Sequence, residues 1–279
     1  MNGKTILITG ASTGIGLYSA ISLARLGANL VMVGRDKERT AQAMELVKSQ
    51  TGNQSISYLL ADLSSLQEVR RLAQEFKDKY RRLDVLLNNA GAIFLRRRVS
   101  VDGYEMTLAL NHLNYFLLTD LLLDLLKAAP TARIVNVASR AHYRGHVKFD
   151  DLQSQHGYNG MRVYSMSKLM NVLFTYELAR RLQGTKVTAN CLHPGFVASN
   201  FAYNNGWIVR LGMSFMSGRI SVEDGAKCSI YLASSSEVEG VSGKYFHYDM
   251  KETRSSAESY DQNIARQLWD ISEKLVTTH

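Results

Sequence analysis

The amino-acid sequence predicts an α/β fold, with one doubly wound parallel sheet of about seven strands and helices on both faces. Short apolar, β-branched segments alternate with longer amphipathic segments along the chain, which is typical of repeated strand–helix–strand units. The first of these strands ends in a glycine-rich turn that leads directly into a helical segment. With 279 residues, the chain is expected to form a single domain over residues 1–279.

Composition and charge narrow the function classes. Hydrophobic residues make up 46% of the chain and charged residues 21%, which is ordinary for a globular protein and excludes wholesale disorder. The net charge is +8, but the arginines occur in short clusters, such as 96–98, without a nucleic-acid-binding signature, so no nucleic-acid partner is expected. Cys191 and Cys228 lie in apolar segments, which indicates reduced core thiols rather than a disulfide framework.

Hydropathy gives no reason to expect a membrane-spanning segment. No run of 18 or more apolar residues occurs, and the apolar stretch 115–126 is interrupted by Asp120 and Asp124. No targeting signal precedes the first strand. The sequence therefore predicts a cytoplasmic protein, with peripheral contact to a membrane surface as the alternative.

The predicted first strand, residues 5–9, is followed by Gly10, Gly14 and Gly16 and then by an amphipathic segment that runs to Gly27. Strand, glycine turn and helix in this order form a Rossmann-type nucleotide-binding unit. Glycines let the backbone approach a pyrophosphate, which the N–H groups and positive end of the helix then bind. By itself the motif also fits a tight turn with a helix cap.

The second predicted strand, residues 29–33, ends at Gly34, Arg35 and Asp36. In dinucleotide-binding folds an acidic residue at this place accepts a hydrogen bond from the adenosine ribose, whereas an arginine pairs with a 2′-phosphate. Here glycine takes the acidic position and Arg35 follows it. Because a guanidinium matches phosphate bidentately, the sequence favours NADP(H) over NAD(H). The alternative is that Asp36 turns toward the ribose.

The remaining predicted elements alternate in the same way. Asp62 is placed to cap the helix that follows the third strand, and Asn111 lies within a long apolar helix. Ser139 ends a strand, at the edge where parallel sheets bind ligands, although a serine there could also cap a turn. The predicted strands are 55–60, 83–87, 133–138 and 186–192, and the predicted helices are 36–49 and 103–129.

Tyr164 and Lys168 form a candidate proton-transfer pair. Four residues apart on a helix, they lie on the same face, one turn apart, so an ammonium lies beside a phenol. A free tyrosine titrates near ~10, and a neighbouring cation favours the phenolate and is predicted to lower that pKa. Such a phenol can donate or accept a proton in catalysis. The alternative is a surface tyrosine packed along the lysine stem.

Four motifs in this order resemble the short-chain dehydrogenase/reductase family: Thr9-Gly10-x-x-x-Gly14-x-Gly16, Asn88-Asn89-Ala90-Gly91, Ser139, and Tyr164-x-x-x-Lys168. Further segments are similar to its retinol dehydrogenase branch: Asn111-His112-Leu113, Lys168-Leu169-x-Asn171, His193-Pro194-Gly195, residues 240–246 and Arg266-x-Leu268-Trp269. The resemblance extends from the first strand to the last helix.

This resemblance implies catalytic roles for four residues. Tyr164 exchanges a proton with the substrate oxygen, Ser139 hydrogen-bonds that oxygen, and Lys168 lowers the pKa of the phenol and binds the nicotinamide ribose. Asn111 holds a water that links the lysine to solvent, unless its amide only bends the helix by bonding to the backbone. The implied NADP(H)-binding residues, besides Tyr164 and Lys168, are Gly10, Ser12, Thr13, Gly14, Ile15, Gly16, Arg35, Asp62, Leu63, Asn89, Ala90, Gly91, Pro194, Gly195, Val197 and Ser199.

The stretch between Ser139 and Tyr164 is long and contains His142, His146 and His156. Their spacing fits no zinc template, and no cysteine accompanies them. No metal site is therefore expected.

Residues around 200–220 are predicted to form a lid over the substrate. The segment is rich in aromatic, aliphatic and methionine residues, and glycines at 206, 212 and 218 suggest mobility. An apolar lid favours a small lipophilic carbonyl or alcohol, such as a retinoid or a long-chain aldehyde. The alternatives are a ketoreductase for a steroid, polyketide or xenobiotic, a light-driven pigment reductase, and a non-catalytic NADP(H)-sensing protein on the same scaffold.

Apolar residues at helical spacing predict a final helix around residues 257–276. The stripe consists of Ile264, Leu268, Ile271 and Leu275. This face is expected to pack on the body of the domain, and the alternative is a surface that contacts a membrane together with the lid. The helices around Asn111 and Tyr164 permit the dimer common in the family, so a homodimer or a monomer is expected.

Overall fold

The structure is a computed structural model that describes residues 1–197 and 220–277. Within these ranges seven parallel strands form one sheet in the order β3-β2-β1-β4-β5-β6-β7. The strands are β1 (Thr5–Thr9), β2 (Asn29–Gly34), β3 (Ile56–Leu60), β4 (Val85–Asn88), β5 (Ala132–Val137), β6 (Val187–Leu192) and β7 (Tyr245–Phe246). The predicted doubly wound fold of about seven strands is confirmed.

Helices cover both faces of the sheet. On the face covered by α1, α2 and α7, the hydrophobic core includes Leu23. On the face covered by α3, α5, α6 and α8, it includes Leu173. In the described ranges the helices are α1 (Gly14–Arg25), α2 (Lys37–Thr51), α3 (Leu66–Lys79), α4 (Met106–Leu108), α5 (Asn114–Lys127), α6 (Gly160–Arg181), α7 (Val222–Ser234) and α8 (Gln262–Thr277).

The strand order reverses between β1 and β4. Leu7 of β1 lies opposite Val31 of β2 on one side and Leu86 of β4 on the other. Every residue of β1 is buried, because a central parallel strand is covered by helices on both faces. In such sheets the crevice beyond the carboxyl ends of the strands at this reversal is where ligands bind.

The helix after β3 begins later than predicted, and Asp62 does not cap it. Ser65 is the N-cap of α3, and its hydroxyl accepts a hydrogen bond from Glu68 N at 3.4 Å. Asp62 instead accepts hydrogen bonds from Ser64 N at 3.0 Å and Ser64 Oγ at 2.7 Å. The prediction is wrong because the carboxylate closes a turn of its own before the helix starts.

The predicted helix over residues 103–129 is divided into parts. It begins after Glu105, whose side chain accepts a hydrogen bond from Leu108 N at 2.8 Å and caps the first turn. A π-helical turn, Ala109–Leu113, separates α4 from α5. Single π turns inside helices often occur at functional sites, and this one contains Asn111.

The apolar stripe predicted for the final helix packs on the body of the protein. Residues 257–260 form a separate 3₁₀ turn ahead of α8. Leu268 is buried in the core, and the ring of Trp269 packs on Phe116 and Phe174, with centroid distances of 4.9 and 5.7 Å. The other three residues of the stripe, Ile264, Ile271 and Leu275, are partly buried against the same core, which confirms the packing interpretation.

A buried histidine links α8 to the π turn. His112 Nε2 lies 2.9 Å from Ser272 Oγ of α8, and its Nδ1 lies 3.4 Å from Asn171 Oδ1 of α6. Burial lowers the pKa of His112 to about 4, so the ring is neutral at physiological pH. The neutral side chain of His112 therefore joins the π turn, which also contains Asn111, to α6 and α8.

The predicted lid at 200–220 falls outside the described residues except for Ile220, and so does the predicted cofactor contact Ser199. Among the helices of the described ranges, none has both the length and the hydropathy needed to cross a bilayer.

Candidate active site

The glycine turn after β1 packs tightly against the turn after β4. A Cβ at Gly16 would lie 2.3 Å from Gly10 O and 2.6 Å from Asn89 Nδ2, so no larger residue fits there. Asn89 Nδ2 donates to Thr9 O at 2.8 Å. The Thr9 hydroxyl accepts the backbone N–H groups of Asn89 and Ala90 at 2.9 and 3.0 Å. Thr9 and Asn89 therefore hold these two turns together at the point where the strand order reverses.

The first turn of α1 is suited to binding an anion. Thr13 is its N-cap but makes no side-chain cap hydrogen bond, and the turn contains no acidic residue. Neither Thr13 nor a side chain of this turn therefore supplies an acceptor to the leading N–H groups, which lie at the positive end of the helix. The predicted contacts Gly14 and Ile15 lie in this turn, Ser12 lies just before its N-cap, and all three are partly buried. These features fit the pyrophosphate of a dinucleotide.

The end of β2 combines a tightly packed glycine with exposed polar side chains. A Cβ at Gly34 would lie 2.1 Å from Thr40 Oγ1, a hydroxyl held in place by donating to Asp36 O. The Asp36 carboxylate caps α2, and its Oδ1 accepts a hydrogen bond from Arg39 N at 2.8 Å. Arg35 is 73% exposed, and its Nη1 lies 3.8 Å from Asp62 Oδ2. Arg35 is therefore accessible to a ligand at this strand end.

The turn after β6 is held by a buried histidine. His193 Nδ1 accepts a hydrogen bond from Gly195 N at 3.1 Å, across the intervening Pro194. Burial lowers the pKa of His193 to about 4, so the ring stays neutral and Nδ1 remains an acceptor. Val197 pairs with Ile220 in a parallel bridge. Three predicted cofactor contacts therefore lie together beyond β6, whereas Leu63, another predicted contact, has its side chain in the core.

The amide of Asn111 anchors the turn after β4. Its Oδ1 accepts from Ala92 N at 2.9 Å, and its Nδ2 donates to Ala92 O at 2.9 Å and to Ser167 Oγ at 3.1 Å. A Cβ at Gly91 would lie 3.2 Å from Asn111 Oδ1 and 3.4 Å from Lys168 Nζ, so both side chains converge on Gly91. The amide is bonded to the backbone, and its role in holding a water stays a prediction.

Ser139, Tyr164 and Lys168 lie at the carboxyl end of β5. Tyr164 is 8% exposed and Lys168 is 2% exposed. The ammonium nitrogen lies 5.8 Å from the Tyr164 ring centroid and donates to Val137 O at 2.8 Å. The Ser139 side chain lies close enough to the phenol of Tyr164 to lower its pKa. The tyrosine and lysine therefore form a buried pair rather than a surface contact, with the serine beside the phenol.

Burial dominates the titration of this pair. It raises the pKa of Tyr164 to about 12, against a smaller lowering by the Ser139 hydrogen bond. It lowers the pKa of Lys168 to about 7, so the lysine is only partly charged at neutral pH. The prediction that Lys168 lowers the pKa of Tyr164 is wrong for the protein alone, because desolvation penalises the charged form of both groups.

His142 supports the site and was considered from the sequence only as a metal ligand. Its Nδ1 lies 2.7 Å from Ser139 O, and the ring is fully buried. The only signal in the sequence is its position three residues after Ser139. In the structure His142 lies in a 3₁₀ turn that the serine caps. In the ranges that the structure describes, no group of three or more His, Cys, Asp or Glu side chains is arranged to hold a metal ion.

The site combines an anion-binding turn with a buried phenol. A carbonyl oxygen placed beside the Ser139 and Tyr164 hydroxyls would receive two hydrogen bonds, which stabilise negative charge as it develops on that oxygen. With a pKa of about 12, Tyr164 is protonated at neutral pH and is able to deliver its proton. The geometry therefore suits carbonyl reduction beside a bound dinucleotide.

Known proteins are similar to this chain over most of its length. The family model for short chain dehydrogenase matches residues 4–206. Human retinol dehydrogenase 14 is 44% identical over 293 residues, which cover 99% of this chain and 87% of the relative. Human polyprenol dehydrogenase is 39% identical over 277 residues, which cover 96% and 84%. The structure is also similar to the RhlG/NADP active-site complex of Pseudomonas aeruginosa, with a TM-score of 0.71, 28% identity and coverage of 90% of this chain and 96% of that one.

Proposed function

This chain belongs to the short-chain dehydrogenase/reductase family and resembles retinol dehydrogenases, and we propose that it is an NADP(H)-dependent oxidoreductase for a lipophilic carbonyl or alcohol. A retinoid or a long-chain aldehyde is the proposed substrate type. One observation carries the proposal: the phenol of Tyr164 is buried between Ser139 and Lys168, at the sheet edge that also carries the anion-binding turn. A protein that only sensed the cofactor would have no use for this proton donor.

Three side chains of the protein have separate roles in the proposed reduction. A nicotinamide held in this site would supply the hydride. Tyr164 gives its proton to the substrate oxygen, and Ser139 donates a hydrogen bond that stabilises the developing alkoxide. Lys168, where protonated, favours the phenolate that Tyr164 leaves behind. Oxidation of an alcohol uses the same groups in reverse, with the phenolate as the base.

The preference for NADP(H) is supported by the end of β2. Gly34 has no room for a carboxylate that would bind ribose hydroxyls, since Thr40 Oγ1 would lie 2.1 Å from its Cβ. Asp36 is engaged as the cap of α2. Arg35 is left as the exposed group able to bind a 2′-phosphate.

Replacing Arg35 by alanine is expected to raise the KM for NADPH by about 10-fold to 100-fold, because a charge-assisted bidentate contact to the 2′-phosphate is lost. The KM for NADH is expected to change by less than about twofold, since that cofactor has no 2′-phosphate. Steady-state kinetics with both cofactors measures the two effects. Arg25→Ala, which removes an exposed charge from the far end of α1, is the control. An equal loss for NADPH and NADH would contradict the proposed preference.

The proposed substrate class is supported by apolar side chains exposed in the segments that follow β4 and β6 and at the start of α6. Leu95, Met161 and Phe196 are large, exposed hydrophobic residues, and they follow β4, begin α6 and follow β6. Gly160 brings two of these segments into contact, because a Cβ there would lie 2.7 Å from Leu95 Cα. The relatives named above are a retinol and a polyprenol dehydrogenase, and both names denote lipophilic alcohols.

A substrate screen tests the proposed function. Purified protein is incubated with NADPH or NADH and with retinal, medium-chain aldehydes, steroids or quinones, and nicotinamide oxidation is followed by its near-ultraviolet absorbance. We expect the fastest turnover with NADPH and either retinal or an aldehyde. Faster turnover of a steroid or quinone would favour a ketoreductase. No turnover with any compound, together with saturable NADPH binding, would favour a sensing protein.

A further inference from the structure

The carbonyl of the proposed catalytic serine is held by a buried histidine. His142 lies in the 3₁₀ turn that follows Ser139 and is fully buried. Its backbone N–H donates to Ser139 O at 3.1 Å, and its Nδ1 lies 2.7 Å from the same oxygen. Two groups of one residue therefore fix the peptide that carries the serine side chain.

The hydrogen bonds of His142 select one neutral tautomer. A carbonyl oxygen only accepts, so Nδ1 must carry the proton that it donates to Ser139 O. The backbone N–H of Ser256 donates to Nε2 at 3.1 Å, so Nε2 must keep its lone pair. A protonated ring would present N–H to N–H at Ser256. Burial lowers the pKa of His142 to about 4, which keeps the ring in this neutral form.

Ser256 belongs to a segment, residues 254–258, that we call the strap. On one side the strap is bonded to the loop that contains His142. Tyr143 OH donates to Arg254 O, and Val147 N donates to Glu258 Oε1 at 2.9 Å. Both ends of the strap are therefore hydrogen-bonded to this loop, and the Ser256–His142 hydrogen bond lies between them.

On its other side the strap is bonded to α6, the helix that carries Tyr164. Ser255 Oγ lies 2.7 Å from Tyr176 OH, and the ring of Tyr260, just beyond the strap, stacks on Tyr176 with a centroid distance of 5.4 Å. The strap thus connects the two elements whose relative position sets the distance between the serine and tyrosine hydroxyls.

We propose that His142 is a positioning residue, and that the strap, through the Ser256 N–H, holds it so that the Ser139 hydroxyl meets the substrate oxygen at the same time as Tyr164. The inference rests on the proposed function, because it assigns a role in that reaction. His142 itself touches neither the substrate nor the nicotinamide. Its effect is carried through the Ser139 peptide.

Two substitutions of Ser256 test the strap hydrogen bond. Ser256→Pro removes the N–H donor and places a ring carbon where the hydrogen pointed at His142 Nε2, so the imidazole must move. The residue's φ of −61° already suits a proline ring. Ser256→Ala keeps the N–H and removes a buried hydroxyl that has no hydrogen-bond partner in the part of the chain that the structure describes. We expect kcat to fall by about 10-fold to 100-fold in the proline variant, because a small misplacement of a reacting group lowers the rate by that much. The alanine variant should stay within about twofold of the unsubstituted protein, and the NADPH dissociation constant should be unchanged in both.

A double-mutant cycle separates positioning from general damage. In the Ser139→Ala background the serine hydroxyl is absent, so Ser256→Pro should lower kcat by less than about twofold further. An equal loss in both backgrounds would overturn the inference, because the proline would then act by another route. Equal kcat for the two Ser256 variants in the unsubstituted background would overturn it as well.

Substitutions of His142 provide a second test if the proline variant does not fold. His142→Phe keeps an aromatic ring and removes both nitrogens, whereas His142→Asn keeps a donor near the Nδ1 position. We expect a loss of kcat in the first variant and recovery of at least about half of it, on a logarithmic scale, in the second. His156→Phe, in the same stretch before α6 but exposed and facing Asp151 rather than the strap, is the control. Equal losses for His142→Phe and His142→Asn would contradict the proposal.

The outcomes also distinguish this inference from the proposed function. An unsubstituted protein without turnover on any carbonyl overturns the proposed function, and the inference with it. An active unsubstituted protein whose Ser256 variants have equal kcat overturns the inference alone.

Discussion

Replacing Tyr164 by phenylalanine is expected to lower kcat for carbonyl reduction by about 10²-fold to 10⁴-fold, the range that a positioned general acid contributes. The substitution removes the hydroxyl that Ser139 contacts and leaves the ring in its buried place on α6. The NADPH dissociation constant, measured by fluorescence titration, should change by less than about threefold, since the ring and its packing are retained. The loss should therefore appear in kcat rather than in cofactor binding.

Tyr231→Phe is the matched control for this substitution. Tyr231 lies on α7, on the opposite face of the sheet, and its hydroxyl bonds to Glu237 at 3.0 Å. The same chemical change is expected to leave kcat within about twofold there, as for surface changes in general. A Tyr164→Phe variant that kept a near-normal rate would remove Tyr164 from the mechanism, and another donor would have to be found.

Replacing Lys168 by methionine is expected to abolish most of the activity and to stabilise the fold at neutral and acidic pH. Burial lowers the pKa of Lys168 from 10.5 to about 7, so the folded protein bears a desolvation cost on the order of 5 kcal/mol at most when the lysine is charged in both states. Loss of the bond to Val137 O offsets about 1–3 kcal/mol of the gain. A net increase of a few kcal/mol in the free energy of unfolding is expected.

The sign of the pH dependence checks this assignment. Between pH 7 and pH 10.5 the unfolded chain holds more protons at this position than the folded chain, so the stability of the unsubstituted protein rises with pH across that window. The advantage of the methionine variant should be full below about pH 7 and disappear toward pH 10.5. Thermal unfolding of both proteins at pH 6 and pH 10 measures it. An advantage that is equal at both pH values would show that the lysine is not desolvated.

Elements that depend on local patterns were predictable from the sequence. The glycine turn and the strand that precedes it follow from residues close together in the chain. Where two local solutions compete, the prediction is wrong: Asp62 and Ser65 are both good N-cap residues, and the chain uses the second because the first closes a turn with Ser64.

Properties that depend on burial were not predictable in the same way. Helical spacing correctly places Tyr164 and Lys168 on one face of α6, but it says nothing of how many neighbours cover that face. Desolvation by those neighbours reverses the expected direction of the phenol pKa. His142 was missed for a related reason, since its second partner, Ser256, is 114 residues away along the chain, and no local pattern reports such a contact.

Helix α8 is expected to set the temperature up to which this protein is active. The helix packs on α5 and α6 and, through Ser272 and His112, fixes the turn that contains Asn111. A helix packed on the outside of a domain opens at a lower free energy than the central strands of its sheet. If α8 opens first, the turn that contains Asn111 loses this support while β1 and its neighbours stay paired. We therefore expect activity to be lost on heating before the sheet melts.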